Sequence, residues 1–150
     1  MFVMTLQFDE RGNLPAGIYQ LSWDEIVQQY GYNYHRKKLL TGLKNALYEL
    51  KRAGCKIVYL DGSFVTTKQY PNDYDCCWKA DEINPDLLDH RLLNCTQIGR
   101  KLQKIKYFGE FFPSSVIEGS SGSPFLIFFQ NDAETGLRKG IVKIDLEGFL

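Results

Sequence analysis

Apolar and polar positions alternate along this chain with two different periods. The helical period is clearest in residues 33–54: Leu39, Leu40, Leu43, Ala46, Leu47 and Leu50 recur three or four apart down one face. Asn33 stands where a capping side chain is needed, and Gly54 where a helix stops. A shorter helix is predicted just upstream in "SWDEIVQQYG", where Ser22 and Glu25 form a capping-box pair and Gly31 ends the run. The strand period follows. "CKIVYL" (55–60) is a compact β-rich run of the kind that becomes a buried strand, and "DYDCCW" (73–78) can alternate as a second one. Farther on, "NPDLLDHRLLN" and "IGRKLQKIKYFGEFF" are predicted to be helical in part. "PSSVIEGSSGSP" is a Ser/Gly-rich loop, and "FLIFFQ" and "KGIVKIDL" are predicted as two strands of a hairpin joined by "NDAETGLR". Residues 1–20 are expected to form an irregular arm. With no internal repeat and no linker, residues 1–150 are expected to form one α+β domain, a small mixed sheet packed against helices.

Composition narrows the functional classes. Lys+Arg and Asp+Glu both total 18, so no global field draws the chain to nucleic acid or membrane, and any basic surface must be local. No apolar run approaches the ~18 residues of a membrane span, and "MFVMTLQFDERGN" lacks the basic head of a secretion signal. The expected compartment is the cytoplasm, with no membrane partner. Cys55, Cys76, Cys77 and Cys95 include no C-x-x-C pair, which suits reduced thiols.

The chemistry concentrates in "LDGSFVTTKQYPNDYD" (60–75). After a strand ending near Leu60, Gly62 lets the backbone approach a ligand with no Cβ in the way. If "SFVTTK" opens as a helical turn, its free N–H groups favour phosphate oxygens, the Ser63 hydroxyl adds a donor, and Lys68 can add a charge. On a strand, Asp73 and Asp75 project to one face, two hard-oxygen ligands suited to Mg²⁺ or Mn²⁺. One half would seat phosphates and the other metal.

A Gly-Ser pair after an apolar strand, with Asp-x-Asp about ten residues on, resembles the signature of the DNA polymerase beta-like nucleotidyltransferase superfamily. Here that signature is Gly62, Ser63, Asp73 and Asp75. Through "HRKKLLTGLKNAL", "AGCKIVYLDGSFVTTK", "PNDYD" and "KGIVKIDL", the chain also resembles an uncharacterised bacterial branch of minimal nucleotidyltransferases met in toxin–antitoxin and defence pairs. The resemblance implies transfer of a nucleoside monophosphate from an NTP such as ATP to a hydroxyl, with release of pyrophosphate. It further implies a third carboxylate on a later strand, for which Asp145 at the end of "GIVKID" is the candidate. It also implies an RNA or protein acceptor, with a cognate antitoxin or toxin as partner. Asp61, just before Gly62, departs from the usual apolar residue, and no helical substrate domain is expected to follow. A second reading is a catalytically weak binding module or antitoxin that docks a partner protein. A third, small-molecule modification, is disfavoured by the missing helical domain.

Two basic clusters and the histidines complete the inventory. Arg36, Lys37 and Lys38 near a helix start read as a solvated face, although an anionic ligand would relieve their unfavourable position there. Arg100, Lys101 and Lys104 can share a helical face, with Lys106 nearby, and could guide a triphosphate or RNA. The Phe108–Phe129 aromatics read as core. His35 and His90 are not needed by a polymerase-type mechanism.

Overall fold

A computed structural model describes residues 6–149. The chain folds as a mixed α+β structure around one five-stranded sheet. In chain order the elements are β1 (Gly17–Gln20), α1 (Trp23–Tyr30), α2 (Tyr34–Arg52), β2 (Ile57–Asp61), β3 (Tyr74–Trp78), α3 (Gln97–Tyr107), β4 (Gly109–Pro113), α4 (Phe125–Phe128) and β5 (Gly140–Asp145). The strands lie in the order β1-β5-β2-β3-β4. β2 is central and antiparallel to both neighbours, while the outer pairs β1–β5 and β3–β4 are parallel. No described helix is long and apolar enough to cross a membrane.

Local chemistry explains the helices. In α1 the capping box forms as the sequence requires: Ser22 Oγ accepts from Glu25 N (3.1 Å) and Ser22 N donates to Glu25 Oε1 (2.9 Å). In α2, Asn33 Oδ1 accepts from Arg36 N at 2.8 Å, and the predicted leucine stripe is buried. That stripe packs on the face of the sheet that presents Val58, Leu60, Tyr74, Cys76, Phe111, Val142 and Ile144. The opposite face carries a smaller cluster around Cys77, Phe112, Phe129 and Ile141.

Two expectations, the arm and the hairpin, are corrected, and the two segments expected to be helical in part are so. Residues 17–20 of the supposed irregular arm form an edge strand on β5; residues 1–5 lie outside the described residues. "GEFF" is strand β4, because Phe108 adopts a left-handed conformation (φ 68°) that ends α3 and turns the chain into the sheet. The first four residues of "FLIFFQ", Phe125–Phe128, form the short helix α4, so the expected hairpin is replaced by an isolated antiparallel bridge between Asn131 and Arg138. Coiling this run lets Phe125 and Phe129, four apart, both pack around Phe112, which a strand could not do. Of "NPDLLDHRLLN", only His90–Leu93 is helical, a single 3₁₀ turn.

The approach of α2 to the end of α3 matters for the site, because α3 carries two cations that face it. Gly42 makes that approach: a Cβ there would stand 2.0 Å from the carbonyl oxygen of Tyr107 and 2.7 Å from Phe108 Cδ2. Backbone cannot yield as a flexible side chain can, so Gly42→Ala must push the helices apart. The substitution is expected to lower unfolding free energy by about 1–3 kcal/mol, read as a lower urea midpoint at unchanged slope.

Candidate active site

Three carboxylates stand in one row across three strands. Asp61, the last residue of β2, is in register with Asp75 of β3, and Asp75 with Glu110 of β4. Residues opposite one another in a sheet share a face, and Asp73, two residues before Asp75, extends the row on that face. This is the side away from the α2 core. The next row inward is Tyr59, Cys77 and Phe112, which belongs to the smaller aromatic cluster.

Cations hold most of this negative charge. Lys139, just before β5, places Nζ 2.7 Å from Asp61 Oδ1. Arg100 and Lys104, one turn apart on α3, both reach Glu110: Arg100 Nε lies 2.5 Å from Oε2 and Lys104 Nζ 2.9 Å from Oε1. The same ammonium also stands 3.2 Å from Asp73 Oδ2 and so bridges two acids. Asp75 has no ion-pair partner among the described residues. Burial, then the charges of Asp73, Asp61 and Glu110, push its carboxyl up to about 7, against a smaller opposing pull from Lys104. Asp61 is raised by burial despite Lys139. For Glu110, burial is the largest single influence, yet hydrogen bonds from Arg100 and Lys104 overcome it and hold the carboxyl below its ordinary value.

Gly62 joins this row to the turn that follows. Its φ of +88° strains any L side chain, and an added Cβ would meet Asp75 Oδ2 at 2.8 Å. The two halves of the sequence motif are therefore in contact. From Gly62 the chain enters a 3₁₀ turn, Ser63–Val65, and a loop to Pro71 that is clamped from beneath by Arg36. That guanidinium is fully buried, so it is not part of the solvated cluster expected from the sequence. It donates to the carbonyls of Phe64 (2.7 Å), Thr66 (3.1 Å), Tyr30 (3.3 Å) and Lys68. The rings of Tyr32 and Phe64 lie 4.7 and 4.9 Å from its central carbon. Carbonyl dipoles and ring faces thus replace a carboxylate as its compensation.

Two open clefts flank the row. One, of about 420 Å³, is lined by Gly62, Ser63, Thr66, Lys68, Lys139 and Arg11 among others, so both predicted phosphate-side residues and Lys68 share one concavity. The other, of about 330 Å³, is lined by Asp73, Asp75, Glu110, Arg100 and phenylalanines including Phe112 and Phe125.

Asp145 is not part of this arrangement. It pairs with Ile57 at the opposite end of β2 from Asp61, four residues or roughly 13 Å along the strand. Its carboxylate caps a 3₁₀ turn, accepting from Glu147 N at 3.0 Å. Because β5 runs antiparallel to β2, the end of β5 lies beside the start of β2. Glu110 of β4 is the later-strand acid that stands in register with Asp75. Its sequence signal was present but slight: one acid alternating with Phe112 directly after Gly109, where a Cβ would stand 2.4 Å from the Tyr74 ring.

The donor set is chemically suited to a hard divalent cation: carboxylates only, on adjacent strands. As arranged, no group of three or more His, Cys, Asp or Glu among the described residues is disposed to hold a metal ion, and the Lys104 ammonium lies between Asp73 and Glu110. That side chain is about half exposed (45%).

The family model of DUF6932, a family of unknown function, matches residues 6–145. The chain belongs to that family. No curated protein matches it, and no solved structure does. In this DUF6932 member the match spans every acid of the row together with Gly62, Ser63 and Lys68.

The raised carboxyl of Asp75 has a measurable consequence. Its folded value of about 7 exceeds the unfolded ~3.9, so between them the folded state holds the extra proton and stability falls as pH rises. Asp75→Asn removes that loss. The variant is expected to be more stable than the parent by a margin that grows from pH 5 to pH 8, by on the order of 1 kcal/mol or more, in parallel thermal melts. A margin that is constant or shrinks with pH contradicts the assigned environment of Asp75.

Proposed function

We propose that this chain is a nucleotidyltransferase-like enzyme, dependent on Mg²⁺ or Mn²⁺, that moves a nucleoside monophosphate from an NTP to a hydroxyl on RNA or protein. The observation that carries the reading is the convergence of Asp73, Asp75 and Glu110 on one sheet face, with Asp75 touching Gly62 at the lip of the Ser63 turn. The triphosphate lies along the cleft of Gly62, Ser63 and Lys68, where Lys68 offsets its charge and Lys139 is shared with Asp61. The acceptor oxygen attacks the α-phosphorus, and the bond from that phosphorus to the α,β-bridging oxygen breaks. Pyrophosphate leaves over the Ser63 turn, and the hydroxyl proton passes to a carboxylate of the row. Asp73, Asp75 and Glu110 would hold the divalent cation, which supplies neutralisation of phosphate charge and acidification of the hydroxyl when bound. Rotation of Lys104 away from Asp73 and Glu110 makes room. An enzyme of this kind, modifying a cellular RNA or protein, suits the toxin of a toxin–antitoxin pair.

One observation favours a second reading. Lys104 and Arg100 already neutralise Glu110, and Lys104 also pairs with Asp73, as in a sheet edge that docks a partner protein without catalysis.

The two separate when the purified chain is incubated with Mg²⁺ or Mn²⁺, each α-labelled nucleoside triphosphate, total RNA and cell lysate. Label transfer is expected from the parent. Asp73→Asn, Asp75→Asn and Glu110→Gln are each expected to reduce it about 100-fold or more, whereas Asp145→Asn stays within about twofold because its carboxylate only caps a turn. Loss of transfer in Asp145→Asn with retention in Glu110→Gln overturns the assignment of the third acid. No transfer by the parent with any nucleotide leaves the docking reading.

A further inference from the structure

Beside the acid row lies a surface that, Lys68 apart, the transfer chemistry does not use. It is built from the first turns of α2 and the 66–71 loop, tied together by Tyr32 Oη donating to the Lys68 carbonyl (3.4 Å), Asn33 Nδ2 to the Gln69 carbonyl (2.8 Å), and a close contact of His35 Nε2 with the Pro71 carbonyl. Three tyrosines face outward from it: Tyr34 is 87% exposed, Tyr70 58% and Tyr32 53%. Lys37, Lys38, Lys44 and Lys68 are also exposed, and none forms an ion pair among the described residues. Residues 26–48 contain no Asp or Glu, and neither do residues 62–72. In a chain with 18 acids and no net charge, these are four lysines without a carboxylate partner, Lys38 resting 5.2 Å over the Phe108 ring and Lys44 farther along α2 beside Trp23 and Val27, and neither contributing segment carries an acid.

We infer that this surface binds single-stranded nucleic acid, with RNA as the acceptor that the neighbouring site modifies. The inference rests on the nucleotidyltransferase reading for the word acceptor, but not for the binding itself. Charge complementarity calls for a polyanion, and the tyrosines select among polyanions. An unpaired base offers a flat face to an exposed ring at every nucleotide, while a duplex keeps its bases stacked on one another and an acidic peptide offers a ring only where it carries an aromatic side chain. Two of the three rings are held in place before any ligand arrives. Tyr32 lies against the buried Arg36 guanidinium, and Tyr70 stands edge-on to His35, their ring centroids 6.1 Å apart. The surface also runs into the site. Lys68 lines the Gly62–Ser63 cleft, and Asp73 follows Pro71 by two residues, at most roughly 7 Å of extended chain. A strand lying across the tyrosines has its backbone beside the carboxylates.

Fluorescence anisotropy of a labelled 12-nucleotide single-stranded RNA tests this, with the full chain and no NTP or divalent cation, so that catalysis plays no part. Saturable binding is expected, weakening with salt along a log–log slope of about −2 to −3, the release expected for three or four lysine–phosphate contacts. Tyr34→Ala is expected to weaken binding about 5-fold or more, by loss of one stacked base. The double variant Lys37→Glu/Lys38→Glu is expected to weaken it about 10-fold or more and to flatten the slope. Both positions are solvent-exposed, so circular dichroism should match the parent, and Lys79→Glu at a distant surface serves as the charge control. Equal binding of a duplex of the same length, capture by phosphatidylserine vesicles in place of RNA, or unchanged affinity in both variants overturns the inference. If RNA binds as expected but no nucleotide is transferred, the surface stands and the enzymatic reading falls.

Discussion

The site depends on the pairing of β3 between β2 and β4, in a register that sets like charges side by side. Asp61 ends β2, and Asp75 and Glu110 are the second residues of β3 and β4, strands whose other residues are mostly apolar and buried. A one-residue slip in either pairing would turn the carboxylates into the α2 core. The apolar residues that alternate with the acids prevent that slip. Tyr74 fixes the register most tightly, because its hydroxyl reaches the Tyr107 carbonyl at 2.6 Å and its ring stands against Gly109 and Phe111. Hydrophobic burial on one face therefore enforces electrostatic repulsion on the other, and three cations make the result tolerable.

Those cations come from different parts of the fold, and their disposition is informative. Lys139 arrives with β5, and Arg100 and Lys104 arrive with α3. Asp75, at the centre of the row, is left with none. A row whose purpose was only structural would be more stable with an apolar residue at its centre, since a buried carboxyl with three acidic neighbours costs stability at neutral pH. The fold retains it directly against the one residue, Gly62, that has no side chain to displace it. Buried Arg36 belongs to the same economy of position: it holds the loop after Gly62 by its carbonyls, so the turn at the site is fixed from the core side.

Much of this was legible along the chain because it is local. The capping pairs, the α2 stripe, strand β2 and the proximity of Gly62 to Asp75 depend on residues a few positions apart, or on one short loop between two strands. The third acid depends on strand order, which no local pattern encodes. Asp145 is an acid at the end of a β-rich run, but β5 runs antiparallel to β2 and delivers it to the end of the sheet opposite Asp61. Glu110 was hidden because the α3 pattern appeared to run on past Gly109, and only the left-handed turn at Phe108 breaks it. Phe125–Phe129 misled in the same way: a wholly apolar run reads equally as strand or helix, and packing around Phe112 decides. The burial of Arg36 was invisible too, since the residues that follow it are exposed lysines and three of its four carbonyl partners lie 28, 30 and 32 residues away.

The central claim is that the carboxylate row accepts a divalent cation in place of the Lys104 ammonium. Its most direct measurement is a crystal structure with Mn²⁺ and a non-hydrolysable nucleoside triphosphate, read by anomalous scattering. The account predicts a manganese peak within coordination distance of Asp73, Asp75 and Glu110, with Lys104 rotated away and the phosphates over Ser63. Manganese bound instead beside Asp145, or Lys104 still bridging Asp73 and Glu110 with no peak between the acids, would contradict it.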